Sequence, residues 1–165
     1  MFQTAYRLAG LALASALAGG TAANAQLVTH KDLTLAMAIT MATTAIETCK
    51  TQGYSVSVHV VGRNGEVLLG VRGDGTNPTT LENSMKKAYT ARTLRQPSGK
   101  FAENVKGNPT AGALFLTNIV PAQGALPIMI GEDTIGAVGV SGAPGGDKDE
   151  ACAKAGIDKV SADLK

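Results

Sequence analysis

The stretch TIGAVGVSGAPGGDKDEACAKAGI, residues 134–157, places glycines at 136, 139, 142, 145 and 146 and follows them with a run of acids. A phosphate cradle needs successive backbone N–H groups and a helix N-terminus aimed at the anion, usually with a lysine close by. The spacing here does not provide one. Gly136, Gly139 and Gly142 recur every third residue, which matches neither G-x-G-x-x-G nor G-x-x-x-x-G-K-[ST], and Asp147 stands where a Walker loop has lysine. Asp147 reads instead as a helix N-cap with Glu150 three residues on, close to a capping box, so the positive end of the helix dipole is met internally. The glycines need another cause. Ile135, Ala137, Val138 and Val140 make residues 134–141 a strand whose missing side chains let a helix or a ligand come close to the backbone.

Working outward, the last helix runs on from Asp147 with Ala153, Ile157, Val160 and Leu164 as its stripe. Upstream, GALFLTNIV and LPIMI read as two strands joined through Pro121 and Gly124, and GEDT turns into the glycine-bearing strand. Before them, Asn77-Pro78 serves as N-cap and first residue of a helix with Leu81, Met85, Ala88 and Leu94 on one face, ended by Pro97. A short helical piece follows over residues 98–105. The run YSVSVHVVGRNGEVLLGVR sets Val56, Val58 and Val60 against Ser55, Ser57 and His59, and its Asn64-Gly65 predicts a hairpin with a type I′ turn. The first helix spans residues 33–52, with Leu35, Ile39, Ala42, Ile46 and Cys49 on one stripe and Gly53 as its stop.

The chain begins MFQTAYRLAGLALASALAGGTAANAQ, with Arg7, an apolar segment over residues 8–18 and Ala23-Asn24-Ala25 ahead of Gln26. This is the pattern of a signal peptide over residues 1–25, with the apolar segment too short to span a bilayer. The expectation is a periplasmic or secreted protein whose mature part, 26–165, is one domain and is not inserted in a membrane. The formal net charge of the whole chain is +2, which gives no reason to expect nucleic acid as a partner.

The order helix, hairpin, helices, three-stranded meander, helix is an α+β layout, a mainly antiparallel five-stranded sheet flanked by helices. With the first strand beside the last, the strand order becomes 2-1-5-4-3. If those two strands are antiparallel, the end of the first helix lies near the start of the last, which brings together the two cysteines, Cys49 and Cys152. A disulfide closing a loop of about 100 residues is therefore expected, with two buried free thiols as the alternative.

Four groups of residues resemble the GlcG/HbpS-type haem-binding family, which also forms the C-terminal domain of PduO-type corrinoid adenosyltransferases. They are Val56-Ser57-Val58 with Gly65, Lys87-Ala88-Tyr89-Thr90-Ala91 with Pro97, Gly124-x-x-Pro127, and above all Ile135-Gly136-Ala137-Val138-Gly139-Val140-Ser141-Gly142. The resemblance implies a profilin-like antiparallel sheet flanked by helices, assembly into a homo-oligomer, and a link to haem, to redox signalling beside a sensor protein, or to glycolate use. Two positions depart from the pattern. Ala125 stands where many relatives have a second glycine, and His59 stands where a small residue is usual, which adds a possible ligand.

Haem iron needs an axial donor in an apolar slot, with cations for the propionates. The chain has two histidines. His30, just ahead of the first helix, is either an iron ligand or a solvated residue, and His59 either faces a helix layer or lies on an outer face. Met37 and Met41 are better explained as core filling than as ligands. Lys86, Lys87, Arg92 and Arg95 form a basic helix face, followed by Lys100 and Lys106; it is either an anion-binding face or a wet surface. Tyr89 offers a ring or a phenol. The cofactor-binding set is thus His30, Lys86, Lys87, Tyr89, Arg92 and Gly124, with haem as the cofactor.

No catalytic set emerges. The chain lacks G-x-S-x-G, H-E-x-x-H and C-x-x-C motifs, and nothing in the spacing gathers Asp74, Glu82 and Glu103 at a metal. The readings are an exported haem-binding or haem/redox-sensing accessory protein, a binding protein or enzyme for a small organic acid such as a 2-hydroxy acid held by Lys87 and Arg92 near Gly124, or a structural oligomer partnering a sensor protein.

Overall fold

The computed structural model describes residues 26–165; the expected signal peptide lies outside them. The elements in chain order are α1 Leu35–Thr51, β1 Ser57–Val61, β2 Val67–Arg72, α2 Thr80–Leu94, α3 Ser98–Gly107, β3 Ala125–Ile130, β4 Asp133–Ser141 and α4 Gly146–Val160, with single 3₁₀ turns at Gly112–Phe115 and Ser161–Asp163. The sheet is antiparallel throughout and ordered β2-β1-β4-β3. Strands β1 and β4 are neighbours, as expected, with Val58 opposite Val140 and His59 opposite Gly139. No helix among the described residues is long and apolar enough to cross a membrane.

Both faces of the sheet are covered, which is why every residue of β1 is buried. Val56, Val58, Val60, Val138 and Val140 join the core formed with α1 and α4, while Val61, Ala125 and Ala137 form a smaller cluster with Ala88 and Ala91 of α2. The second interface is lean in carbon and rich in hydroxyls. Ser57 Oγ lies 2.8 Å from Thr80 Oγ1, and His59 Nδ1 lies 2.8 Å from Ser84 Oγ.

The glycines of β4 let a helix come close. A Cβ on Gly139 would run into the backbone of Ser84 and Ala88, so α2 lies directly on the strand. Gly139→Ala should therefore destabilise by about 2–3 kcal/mol through overpacking. Gly107→Ala, where nothing lies within 4 Å, should be close to neutral in the same urea titration. Equal midpoints for the two variants would refute the close-approach account.

Five expectations need correction. GALFLTNIV is not a strand: Gly112–Phe115 is a 3₁₀ turn and Asn118 takes φ 68°, so the predicted order 2-1-5-4-3 loses its outermost member. Pro127 sits within β3, and a residue without an N–H belongs on an edge strand, so β3 is the natural limit of the sheet. The β1–β2 turn does fall at Asn64-Gly65, but only Gly65 has positive φ, at 81°. With Gly65 N–H donating to Gly62 O and Gly62 N–H to Glu66 O, it is a type I turn closed by a bulge rather than a type I′ turn.

The buried face of α1 is Ala38, Met41, Ala42, Ala45 and Cys49, whereas Leu35, on the predicted stripe, is 58% exposed. A Cβ on Gly156 of α4 would strike the Met41 backbone, so α1 must present small residues where the helices touch. Met41 is fully buried, a core residue as expected. The helix starts also shift: α2 is capped by Thr79 rather than Asn77, and α4 by Gly145, with Asp147 one residue inside the first turn.

The expected disulfide is present. Cys49 and Cys152 are bridged across a sequence separation of 103, joining the end of α1 to the start of α4. At the opposite end of the molecule, Arg63 of the β1–β2 turn grips Asp133 through two hydrogen bonds of 2.7 and 2.9 Å, reaches Asp32 at 3.1 Å and donates to the Lys31 carbonyl. This one side chain fixes the segment leading into α1 and the β3–β4 turn together.

Candidate functional site

The sequence-derived residues divide between two places. Lys87 packs against Gly124 and lines an open cleft of about 450 Å³ between α2, the end of β4 and the start of α4, together with Thr80, Asn83, Ser141 and Asp149. Lys87 is buried, and its Nζ donates to Asp149 Oδ2 at 2.8 Å and to the Val140 carbonyl at 3.1 Å. Asp149 also accepts from Ala143 N–H at 3.0 Å. Burial pushes its carboxyl above the usual range, against the opposing pull of Lys87 and of the Ala143 N–H. Gly124 has φ 134°, and a Cβ there would fall 2.7 Å from Lys87 Nζ, so only glycine leaves room for the buried ion pair. Asp149 was not anticipated; its identity lay in the GGDKDEACA run, read only as helix start.

Tyr89 and Arg92 lie toward the other end of α2. The Tyr89 ring covers Gly65 of the hairpin turn, where a Cβ would be 2.7 Å from it. Arg92 feels Arg95 and Arg63, and its Nε is buried with no hydrogen-bond partner among the described residues. Desolvation lowers its pKa first, the two guanidinium neighbours second. Arg95 caps α2 in the left-handed region at φ 53°. Lys86 faces outward and pairs with Glu82 at 2.5 Å. His30 is half-exposed, with Nε2 3.1 Å from Asp32. Arg92 and Lys87 therefore do not converge, and the organic-acid site expected from both is not assembled.

His59 does face a helix layer, the one formed by α2. Its Nδ1 meets Ser84 Oγ, and its Nε2 lies over Gly70, where a Cβ would collide with it. Burial lowers its pKa, so the ring is neutral at neutral pH. A separate hollow of about 380 Å³ lies between the end of α1 and the start of β1, lined by Ile46, Val56 and Val71 with Lys50, Tyr54 and Arg72. Lys148 stands 5.2 Å over the Tyr54 ring. No cluster of three or more metal-ligating side chains occurs among the described residues.

An antiparallel sheet between two helix layers, with a polar cleft lined partly by Gly142, Gly145 and Gly146, defines a small disulfide-bridged α+β domain. The chain belongs to the HbpS-like family: the family model described as haem degrading protein HbpS-like matches residues 33–158, which bears out the resemblance read from the sequence. An uncharacterized 15.0 kDa protein in the dhaT-dhaS intergenic region of Citrobacter freundii is 37% identical over 113 residues, covering 67% of this chain and 80% of that one. A double mutant of HbpS from Streptomyces reticuli superposes with a TM-score of 0.77 at 30% identity, covering 94% of this chain and 97% of the other. A PduOC:heme complex shares the fold at 21% identity with a TM-score of 0.71, over 77% of this chain and 94% of that one.

Proposed function

We propose that the protein is an exported haem-binding accessory protein, working as a homo-oligomer beside a redox sensor. The family match over residues 33–158 carries this reading. The N-terminal motif and the buried disulfide support export to an oxidising compartment.

The residues present fit haem. A propionate needs a cation without a carboxylate of its own. Arg92 and Arg95 make no ion pair among the described residues, and the buried Arg92 Nε has no acceptor. Tyr89 lies one turn before Arg92 and offers a ring at the same flank. Haem held there would supply redox-active iron. The protein's share is to hold the propionates and give the iron a donor. Lys87, matched by Asp149, is assigned to the structural ion pair, and Lys86 is taken in the same way by Glu82. The competing organic-acid reading retains a cleft whose one buried cation already has a carboxylate at 2.8 Å.

Hemin titration of mature protein should give a saturable Soret shift, weakened about tenfold in Arg92→Gln, the loss of one charge-assisted bond. A thermal-shift screen with hemin and small hydroxy acids should show stabilisation by hemin alone. A wild-type protein with no saturable Soret change, yet stabilised by a hydroxy acid, would replace this reading with the other.

A further inference from the structure

The hollow between the end of α1 and the start of β1 carries charges that no neighbour neutralises. Its floor is apolar: Val56 belongs to the main core, and Ile46, Tyr54 and Val71 are partly buried against it. Its rim is ionic. Glu47 and Lys50 stand three residues apart on α1, and Arg72 and Asp74 two apart where β2 gives way to the following turn. Glutamate and lysine at that helical spacing commonly pair. Yet none of the four makes an ion pair among the described residues.

One of the cations is already held in position. Arg72 Nε donates to Thr76 Oγ1 at 3.2 Å and Nη2 to the Thr76 carbonyl at 3.0 Å, and Thr76 is buried. Neutral groups therefore orient the guanidinium, and its remaining N–H donors have no partner among the described residues. Gly73 N–H donates to the Val56 carbonyl at 3.2 Å, which ties this wall to the start of β1. Lys148, a further cation nearby, sits 5.2 Å over the Tyr54 ring and is occupied by the aromatic wall.

The volume of about 380 Å³ is that of a small-molecule site. The balance of charge selects the class of molecule. A simple anion would meet Glu47 and Asp74 as well as the cations, and a simple cation would meet Lys50 and Arg72. A wholly apolar molecule would leave all four charges beside it without partners. On each wall the two signs are adjacent, so the fitting ligand carries an ammonium and a carboxylate close together on an apolar body.

We propose that this hollow binds a free α-amino acid with an apolar side chain. Arg72 and Lys50 take the carboxylate, Asp74 and Glu47 the ammonium, and the floor takes the side chain. None of these residues lies on α2, so the site is separate from the Arg92 flank and stands whether or not haem binds there.

Calorimetric titration and thermal shift of the mature protein with L-phenylalanine and L-leucine test this. At least one should bind saturably and raise the melting temperature. For whichever ring compound is compared, 3-phenylpropanoate lacks the ammonium and 2-phenylethylamine the carboxylate; each should bind about tenfold more weakly than L-phenylalanine, the loss of one charge-assisted contact. Arg72→Gln and Asp74→Asn should each weaken the amino acid by about the same factor. Because Arg72→Gln also releases Thr76, Lys50→Gln and Glu47→Gln on the exposed side of α1 repeat the comparison without disturbing that turn. Amide ¹H–¹⁵N spectra should shift at residues 46–56 and 71–74. Absence of saturable binding by both amino acids, equal affinity for either truncated analogue, shifts confined to another face, or unchanged affinity in all four variants would each overturn the proposal.

Discussion

Lys87→Met should destabilise the fold by about 3–5 kcal/mol at neutral pH, since it strips the partner from a buried carboxylate. The ammonium and carboxylate are 2.8 Å apart with side chains 5% and 4% exposed, so water cannot take the place of the missing charge. In the wild type, burial raises the Asp149 pKa more than Lys87 and the Ala143 N–H lower it. A group with a raised folded pKa contributes stability fully below its unfolded pKa and loses that contribution as pH rises through the folded one. Removing Lys87 deletes one of the lowering causes, so the folded pKa climbs further. The deficit of the variant is therefore greatest near neutrality and shrinks as acid protonates Asp149. Lys87→Met combined with Asp149→Leu should recover most of the loss, because an apolar pair of similar volume replaces both charges. Urea titrations at several pH values measure this. A single variant within about 1 kcal/mol of wild type at pH 7, or a deficit that does not change with pH, would show the pair to be electrostatically idle.

What could be read from the chain follows from how local each signal is. The alternation of Val56, Val58 and Val60 and the side-chain-poor run through Gly139 are properties of single strands, and they placed β1 beside β4 and the cysteines beside each other. GALFLTNIV misled because an apolar composition does not decide whether a strand has an edge to pair with. Phe115 ends 78% exposed. Pro127 held the missing information, since a proline in β3 argues against a further strand outside it. At the site, Lys87 and Gly124 came together because both pack against the end of β4, but Asp149 could not be assigned before α4 was docked on that strand. His59 could be placed on a face by its alternation with the valines. The partner of its ring could not be read, because that partner is a serine 25 positions away.

Replacing both Cys49 and Cys152 with alanine should remove about 4–5 kcal/mol, the chain-entropy value for a loop of this length, and lower the melting temperature by on the order of 15 °C. The reason the fold depends on this link lies in the helices it joins. Where α1 meets α4 the buried residues include Ala38, Ala42, Ala45 and Ala153, and Gly156 lies against the Met41 backbone. Such small side chains permit close approach but bury little apolar area each, so the interface gains less hydrophobic stabilisation than one built of leucines. The bridge offsets this by restricting the unfolded chain across a separation of 103 residues. Both sulfurs are fully buried, so mild reductant should leave the native protein oxidised and act only as the chain opens. Denaturant titrations separate the contributions: the double variant should show a lower midpoint together with a larger m-value, since its unfolded state is freer to expand. An unchanged midpoint, or rapid reduction under native conditions, would mean that packing between these helices suffices and the covalent link is incidental.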